Sequence, residues 1–213
     1  AKRGIDYLLF RRGPLTMAPS QFCIFTKSYN RFDPPNIEFH IQPLSLDSFG
    51  KPLHKFPGLT VSVCNLRPLS RGTVSLSSSN PFDKPKIAPN YLSDYEDQQV
   101  AVESILKARE LMATNEMAVF EPEEFLPGKN FVKPEELVQE AGKISTTIFH
   151  PVGTAKMGSH DDPMAVVNEK LKVRGFKNLR VVDGSVMPVI TSGNTHTPIV
   201  MIAEKASEMI LND

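Results

Sequence analysis

Two short stretches carry residue types that could do proton chemistry: His150-Pro151-Val152-Gly153-Thr154 and Ser192-Gly193-Asn194-Thr195-His196-Thr197-Pro198. A neutral imidazole, with an ordinary pKa of about 6.5, can take the proton of an alcohol hydroxyl while hydride leaves the carbon. His150 precedes a proline, which biases its backbone to an extended form, and Gly153 then supplies a flexible turn beside it. Asn194 could donate its amide to a substrate hydroxyl or to a developing alkoxide. His196, two residues on, competes with Asn194 for that role. Taken alone, each of these residues is also compatible with a structural part: a satisfied histidine, or a turn asparagine after a glycine.

The elements that must position them follow from patterning. Ile37-Glu38-Phe39-His40-Ile41, Leu59 to Val63 and Gly72 to Ser77 alternate apolar and polar residues, which predicts an antiparallel sheet with one covered face. Residues 1 to 36 read as irregular connection with at most a short helix around Asp6 to Phe10. Ser93-Asp94-Tyr95-Glu96 reads as a capping box opening a helix to about Thr114, with Val102, Ile105, Leu106 and Met112 toward the sheet. A shorter helix is expected from Pro134 to just before Gly142. Beyond Lys143, Ser145 to Phe149 reads as extended and Leu179 to Val182 as a buried strand. The last helix is expected to open at Thr197-Pro198 and to bury Ile199, Ile202, Ala203, Ala206 and Ile210.

Composition narrows the class. The 213 residues hold 24 basic and 24 acidic side chains, a balance that points away from nucleic acid or an acidic surface and toward a small neutral substrate. No apolar run approaches the ~20 residues of a membrane span. Cys23 and Cys64 belong to no CxxC or metal-spaced pattern and read as buried free thiols. Asp161-Asp162, or His40 with His54, fit no metal template by spacing, so no metal is expected. Arg180 and Lys156 read as structural charges, and Arg11-Arg12 lacks the aromatic platforms of a nucleic-acid surface.

Together with Asn178-Leu179-Arg180-Val181-Val182-Asp183-Gly184-Ser185, the two stretches resemble the C-terminal signature of the glucose-methanol-choline family of flavin oxidoreductases, in its order and spacing. Tyr7 to Thr16 is similar to a mid-protein segment of the same family. The resemblance implies that His150 is the catalytic base and that Asn194 takes the second active-site position, with cofactor contacts from Asp183, Gly184, Asn194, Thr195 and His196. It also implies FAD, whose pyrophosphate would rest on a GxGxxG turn that this sequence does not contain. The chain is therefore expected to be the C-terminal part of a longer enzyme, partnered by an N-terminal FAD-binding part, binding FAD weakly and turning over poorly by itself, and prone to self-association through uncovered apolar surface.

The expected fold is α+β: residues 1–143 form an antiparallel-sheet substrate domain covered by helices, and residues 144–213 complete a Rossmann-like FAD-binding domain. The expected reaction is oxidation of an alcohol to an aldehyde or ketone, with phrasing closest to the choline and alcohol dehydrogenase branch. Against choline stands the absence of tryptophan, with only 4 tyrosines and 13 phenylalanines available for an aromatic cage. Two alternatives remain: a hydroxynitrile-lyase-like enzyme of the same fold, and a stand-alone binding module.

Overall fold

The computed structural model describes residues 2–29, 33–48 and 50–213. It is an α+β chain that divides into two compact units, each assembled from two stretches of sequence. The first unit takes the chain up to Asn65 together with Gln99–Thr146, and the second takes Leu66–Gln98 together with Thr147–Asp213. A linear division at 143/144 does not include this grouping of residues 66–98 with the C-terminal stretch.

In the first unit, helix α1 (Lys2–Phe10) and a 3-10 turn at Pro14–Thr16 precede strands β1 (Phe22–Thr26), β2 (Ile37–Gln42) and β3 (Thr60–Asn65). These strands form one antiparallel sheet in the order β1-β2-β3. The expectation of an irregular N-terminal stretch therefore needs correction, because β1 is a strand. Its sequence, Phe-Cys-Ile-Phe-Thr, has no alternation to betray it.

On one face of the sheet, Ile37 and Phe39 pack with Ile24 and Val61 against Val100 and Ala108 of helix α2 (Tyr95–Met112). The alternate residues are not left to water, as a single covered face would require. Glu38 and His40 are only 2% and 7% exposed on the central strand of the sheet. Helices α3 (Asn115–Ala118) and α4 (Pro134–Ile144) complete the unit. Helix α4 continues through Gly142, the expected stop, and buries Leu137 and Ala141. Arg109 of α2 forks onto Glu124 at 2.8 and 2.9 Å and pins the loop between α3 and α4.

The start of α2 shows how local chemistry fixes a boundary. Asp94, not Ser93, is the cap: its Oδ1 accepts from the Glu96 amide at 2.8 Å, and its own amide donates to Ser70 Oγ at 3.1 Å. The buried Asp97 carboxylate accepts from the amides of Leu69 and Ser70 at 2.9 and 2.7 Å.

In the second unit the third expected strand is present as β4 (Thr73–Ser75). It pairs antiparallel with β5 (Lys86–Ala88) in a separate hairpin and does not join the main sheet. Gly72 sets that pairing, because a Cβ there would lie 2.4 Å from the Ala88 carbonyl oxygen and 2.6 Å from that of Pro89. The core consists of Val167, Leu171, Val186, Met187, Ile202 and Ala206.

Three expectations for this unit are corrected. Leu179 to Val182 is not a strand: only Arg180 makes a bridge, to Lys172, and Leu179 is 46% exposed. Two backbone hydrogen bonds, from the Val173 amide to the Leu179 carbonyl at 2.9 Å and from the Val181 amide to the Leu171 carbonyl at 3.2 Å, hold the run beside residues 171–173 over a single bridge rather than a strand. Ser145 has the expected extended backbone, at φ −76° and ψ 150°, but the stretch turns at Phe149, whose φ is 63°, and it belongs to no ladder among the described residues. The last helix, α5 (His196–Leu211), begins ahead of Thr197-Pro198, because the Ile199 amide already donates to the Thr195 carbonyl at 3.1 Å. It buries Ile202 and Ala206 and packs Ile199 on the core, while Ile210 stays exposed. No helix of the described residues is long and apolar enough to cross a membrane.

Candidate active site

All three sequence motifs lie in the second unit, and backbone hydrogen bonds tie the first to the second. After the turn at Gly153, whose φ is 86°, the Ala155 amide donates to the Ser185 carbonyl at 3.0 Å and the Met157 amide to that of Val186 at 2.8 Å. The His150 stretch therefore runs alongside the segment that follows Asp183-Gly184. Val152 from the first motif, Val181 and Val182 from the second, and Ile199 and Ile202 of α5, the helix that the third motif opens, pack into the same core.

Asp183 caps a 3-10 turn at Gly184–Val186: its carboxylate accepts from the Ser185 amide at 2.8 Å and from the Ser185 hydroxyl. A Cβ on Gly184 would lie 3.0 Å from Ile199 Cδ1. The small residue is thus already explained by the approach of this turn to α5, whatever else approaches it.

The remaining site residues surround the start of α5. Thr195 is buried at 3%, Asn194 and His196 are exposed, and His150 is half-buried. The side chains of His150, Asn194 and His196 hydrogen-bond to no other described residue. At the head of α5 no side chain caps the first amides, and the first turn holds no acidic residue. Such a terminus presents roughly half a positive charge to whatever electronegative group meets it. The structure thus gathers the backbones of the three motifs, and it makes no direct hydrogen bond between His150 and Asn194.

Three supporting residues carry no signal in their type. Arg67 donates through Nη1 to the Leu66 and Ile190 carbonyls at 3.1 and 3.3 Å and through Nη2 to Ser192, so it clamps the loop leading to Asn194. Ser192 and Phe149 have φ of 35° and 63°, a region that side-chain-bearing residues seldom adopt. Phe149 immediately precedes His150, and its amide donates to Thr147 Oγ1 at 2.9 Å. The charges expected to be structural do pair: Lys156 with Asp162 at 2.8 Å, and Arg180 with Asp213 at 2.7 Å. The Lys156 ammonium and then the Met164 amide hold the Asp162 carboxyl below its ordinary value.

Against known proteins, the GMC oxidoreductase family pattern matches residues 68–203, which takes in all three motifs. The chain belongs to the GMC oxidoreductase family. It is 41% identical over 206 residues to "Alcohol dehydrogenase [acceptor]" from Pseudomonas putida, covering 97% of this chain and 37% of that protein. It is 39% identical over 209 residues to an oxygen-dependent choline dehydrogenase from Vibrio vulnificus, covering 98% of this chain and 37% of that protein. Among solved structures, pyridoxine 4-oxidase from Mesorbium loti superposes with a TM-score of 0.82 at 26% identity, covering 92% of this chain and 38% of the other. A fungal aryl-alcohol oxidase gives a TM-score of 0.70 at 28% identity, covering 84% and 28%. The chain thus spans well under half the length of these relatives. GMC proteins are FAD-dependent oxidoreductases, and alcohol oxidation is the role their names support.

Proposed function

We propose that this chain supplies the catalytic base and part of the FAD pocket of an enzyme that oxidises an alcohol to an aldehyde or ketone. The observation that carries the reading is the packing of the first two motifs and of the helix that the third opens into one core, with the side chains of His150 and Asn194 and the uncapped head of α5 left without hydrogen-bond partners among the described residues. In this reading residues 1–143 contribute the substrate side and 144–213 the cofactor side, completed by an N-terminal FAD-binding part.

The residues fit the cofactor in one respect that the fold displays. The first amides of α5 have neither a side-chain cap nor an acidic neighbour in their turn, so they can meet an electronegative ring edge. Asp183, Gly184, Asn194, Thr195 and His196 would line the bound group. When bound, FAD supplies the hydride acceptor. An imidazole nitrogen of His150 takes the hydroxyl proton, and the Asn194 amide donates to the same oxygen as negative charge develops there. Thr195, buried beneath them, keeps the turn in place. The alcohol dehydrogenase and choline dehydrogenase relatives support an alcohol as the substrate.

The test is anaerobic mixing of the whole flavoprotein with a panel of primary alcohols including choline, with and without His150→Ala, following flavin absorbance. Bleaching that depends on His150 is the expected result. An absence of bleaching with every alcohol, or bleaching at an unchanged rate in the variant, would overturn the assignment.

A further inference from the structure

Away from those motifs, the main sheet of the first unit gathers a second set of reactive side chains. Glu38 and His40 are two residues apart on β2 and so face the same side of the sheet. The antiparallel register sets Cys23 of β1 opposite His40, and Cys64 of β3 opposite Glu38. Cys23 Sγ lies 3.6 Å from His40 Nδ1, and His40 Nε2 lies 3.3 Å from Glu38 Oε1. Taking one donor atom from each of Cys23, Glu38 and His40, all three lie within 4.8 Å of one another.

Two of these atoms are in an unusual position. Glu38 Oε1 and His40 Nε2 are buried, yet neither has a hydrogen-bond partner. Buried polar groups are normally paired, and leaving one unpaired costs about 1–3 kcal/mol. The 3.3 Å approach between them does not have hydrogen-bond geometry.

We propose that Cys23, Glu38 and His40 form a site for a divalent transition-metal ion of the zinc class, bound by a thiolate, one imidazole nitrogen and a carboxylate oxygen. Metal–ligand bonds of about 2.0–2.3 Å in tetrahedral geometry put ligand atoms roughly 3.3–3.7 Å apart. Closing the 4.8 Å cluster to that size takes side-chain rotations of about an ångström, with one His40 nitrogen on the ion. The other nitrogen remains available to a neighbour, as is usual for metal-bound histidine. On binding, the Cys23 thiol releases its proton to solvent as the sulfur–metal bond forms, and nothing is oxidised or reduced. Sulfur and nitrogen donors disfavour calcium and magnesium, which take oxygen ligands. Cys64, paired with Glu38 in the register of β2 and β3, faces the same side of the sheet.

The same order of thiol, imidazole and carboxylate also describes a nucleophile with its base and orienting group. The geometry opposes that reading: in such a relay the carboxylate hydrogen-bonds the imidazole, and Glu38 Oε1 and His40 Nε2, 3.3 Å apart, do not make that bond.

Cobalt(II) titration of the whole metal-stripped protein tests the site with a readout that is independent of alcohol turnover. Expected are one equivalent of bound cobalt, a sulfur-to-cobalt charge-transfer band, and displacement by zinc. Cys23→Ser should abolish that band and weaken binding by at least about ten-fold, and His40→Gln should weaken it similarly. Cys23 is exposed and serine is nearly isosteric, so this variant should keep the parent's circular dichroism. No charge-transfer band in the parent, or a band unchanged in Cys23→Ser, would overturn the proposal.

Discussion

Gly153→Ala isolates what the turn after His150 demands. A Cβ at this position would lie 3.5 Å from the Met187 carbonyl oxygen and 3.8 Å from that of Pro188, both ordinary van der Waals contacts, so there is room for the methyl group. The penalty lies in the backbone. At φ 86° an L-residue pays about 1–2 kcal/mol that glycine does not. Alanine also restricts the unfolded chain, which returns about 0.4–1 kcal/mol. The net expectation is a loss of about 0–1.6 kcal/mol, centred near 0.8, read as a lower denaturant midpoint at unchanged m-value in the whole protein. Gly184→Ala provides the contrast, since its φ is not left-handed and its Cβ would meet the flexible tip of Ile199 at 3.0 Å. Ile199→Val should relieve the Gly184→Ala defect and leave that of Gly153→Ala untouched. If Gly153→Ala were more stable than the parent, or if Ile199→Val rescued it, the backbone argument would be wrong.

Other outcomes follow from single contacts. Asp97→Ala strips two backbone amides of a buried carboxylate and should cost about 3 kcal/mol, while Asp97→Asn, keeping one acceptor oxygen, should cost about half as much; equal losses in urea melts would contradict this. Arg67→Ala should lower kcat/KM of the holoenzyme about ten-fold while shifting the unfolding midpoint little, with partial recovery in Arg67→Lys, because the guanidinium orients the loop before Asn194. A proportionate fall in stability and activity would reduce Arg67 to a packing residue. Lys172 and then Arg180 lower the Asp213 carboxyl from 3.8 to about 2. Since the folded value is the lower one, the contribution to stability is present above pH about 4 and is lost as pH falls through about 2. Asp213→Asn should flatten that part of the pH-stability curve, and a carboxyl titrating near 4 by NMR would rule the pairing out.

What was legible in the sequence was what depends on neighbouring residues. The alternation around Phe39 and Val61 located β2 and β3, and His150, Asn194 and Asp183 stand out because their motifs are contiguous. What depends on partners distant in the chain was not legible. Strand β1 is an unpatterned apolar run, recognisable only by its pairing with β2. His40 compared with His54 suggested nothing. His54 in fact engages Ser45 at 2.9 Å and Asp47 at 3.0 Å and stacks on Phe56, whereas the partner of His40 is Cys23, supplied by strand register. The expectation that both cysteines would be buried fails for a related reason, since Cys23 is exposed on β1, at the edge of the three-stranded sheet. Helix starts shifted because Asp94, one place after the expected Ser93, and Thr195, two places before the expected Thr197, hold the first carbonyl bonds.

The interleaving of the two units has a consequence for biosynthesis. Residues 66–98 leave the ribosome well before the Val167–Ala206 core of their own unit exists. At about 5–20 residues per second that wait is on the order of ten seconds. Meanwhile the β4–β5 hairpin, whose Leu76 and Ile87 flanks are 85% and 67% exposed even in the finished fold, is too small to hold itself together. Elongation pauses placed within 99–146 would prolong this orphan period, and pauses after Ala206 would not, so synonymous codons for residues 99–146 should influence yield more than codons that follow Ala206.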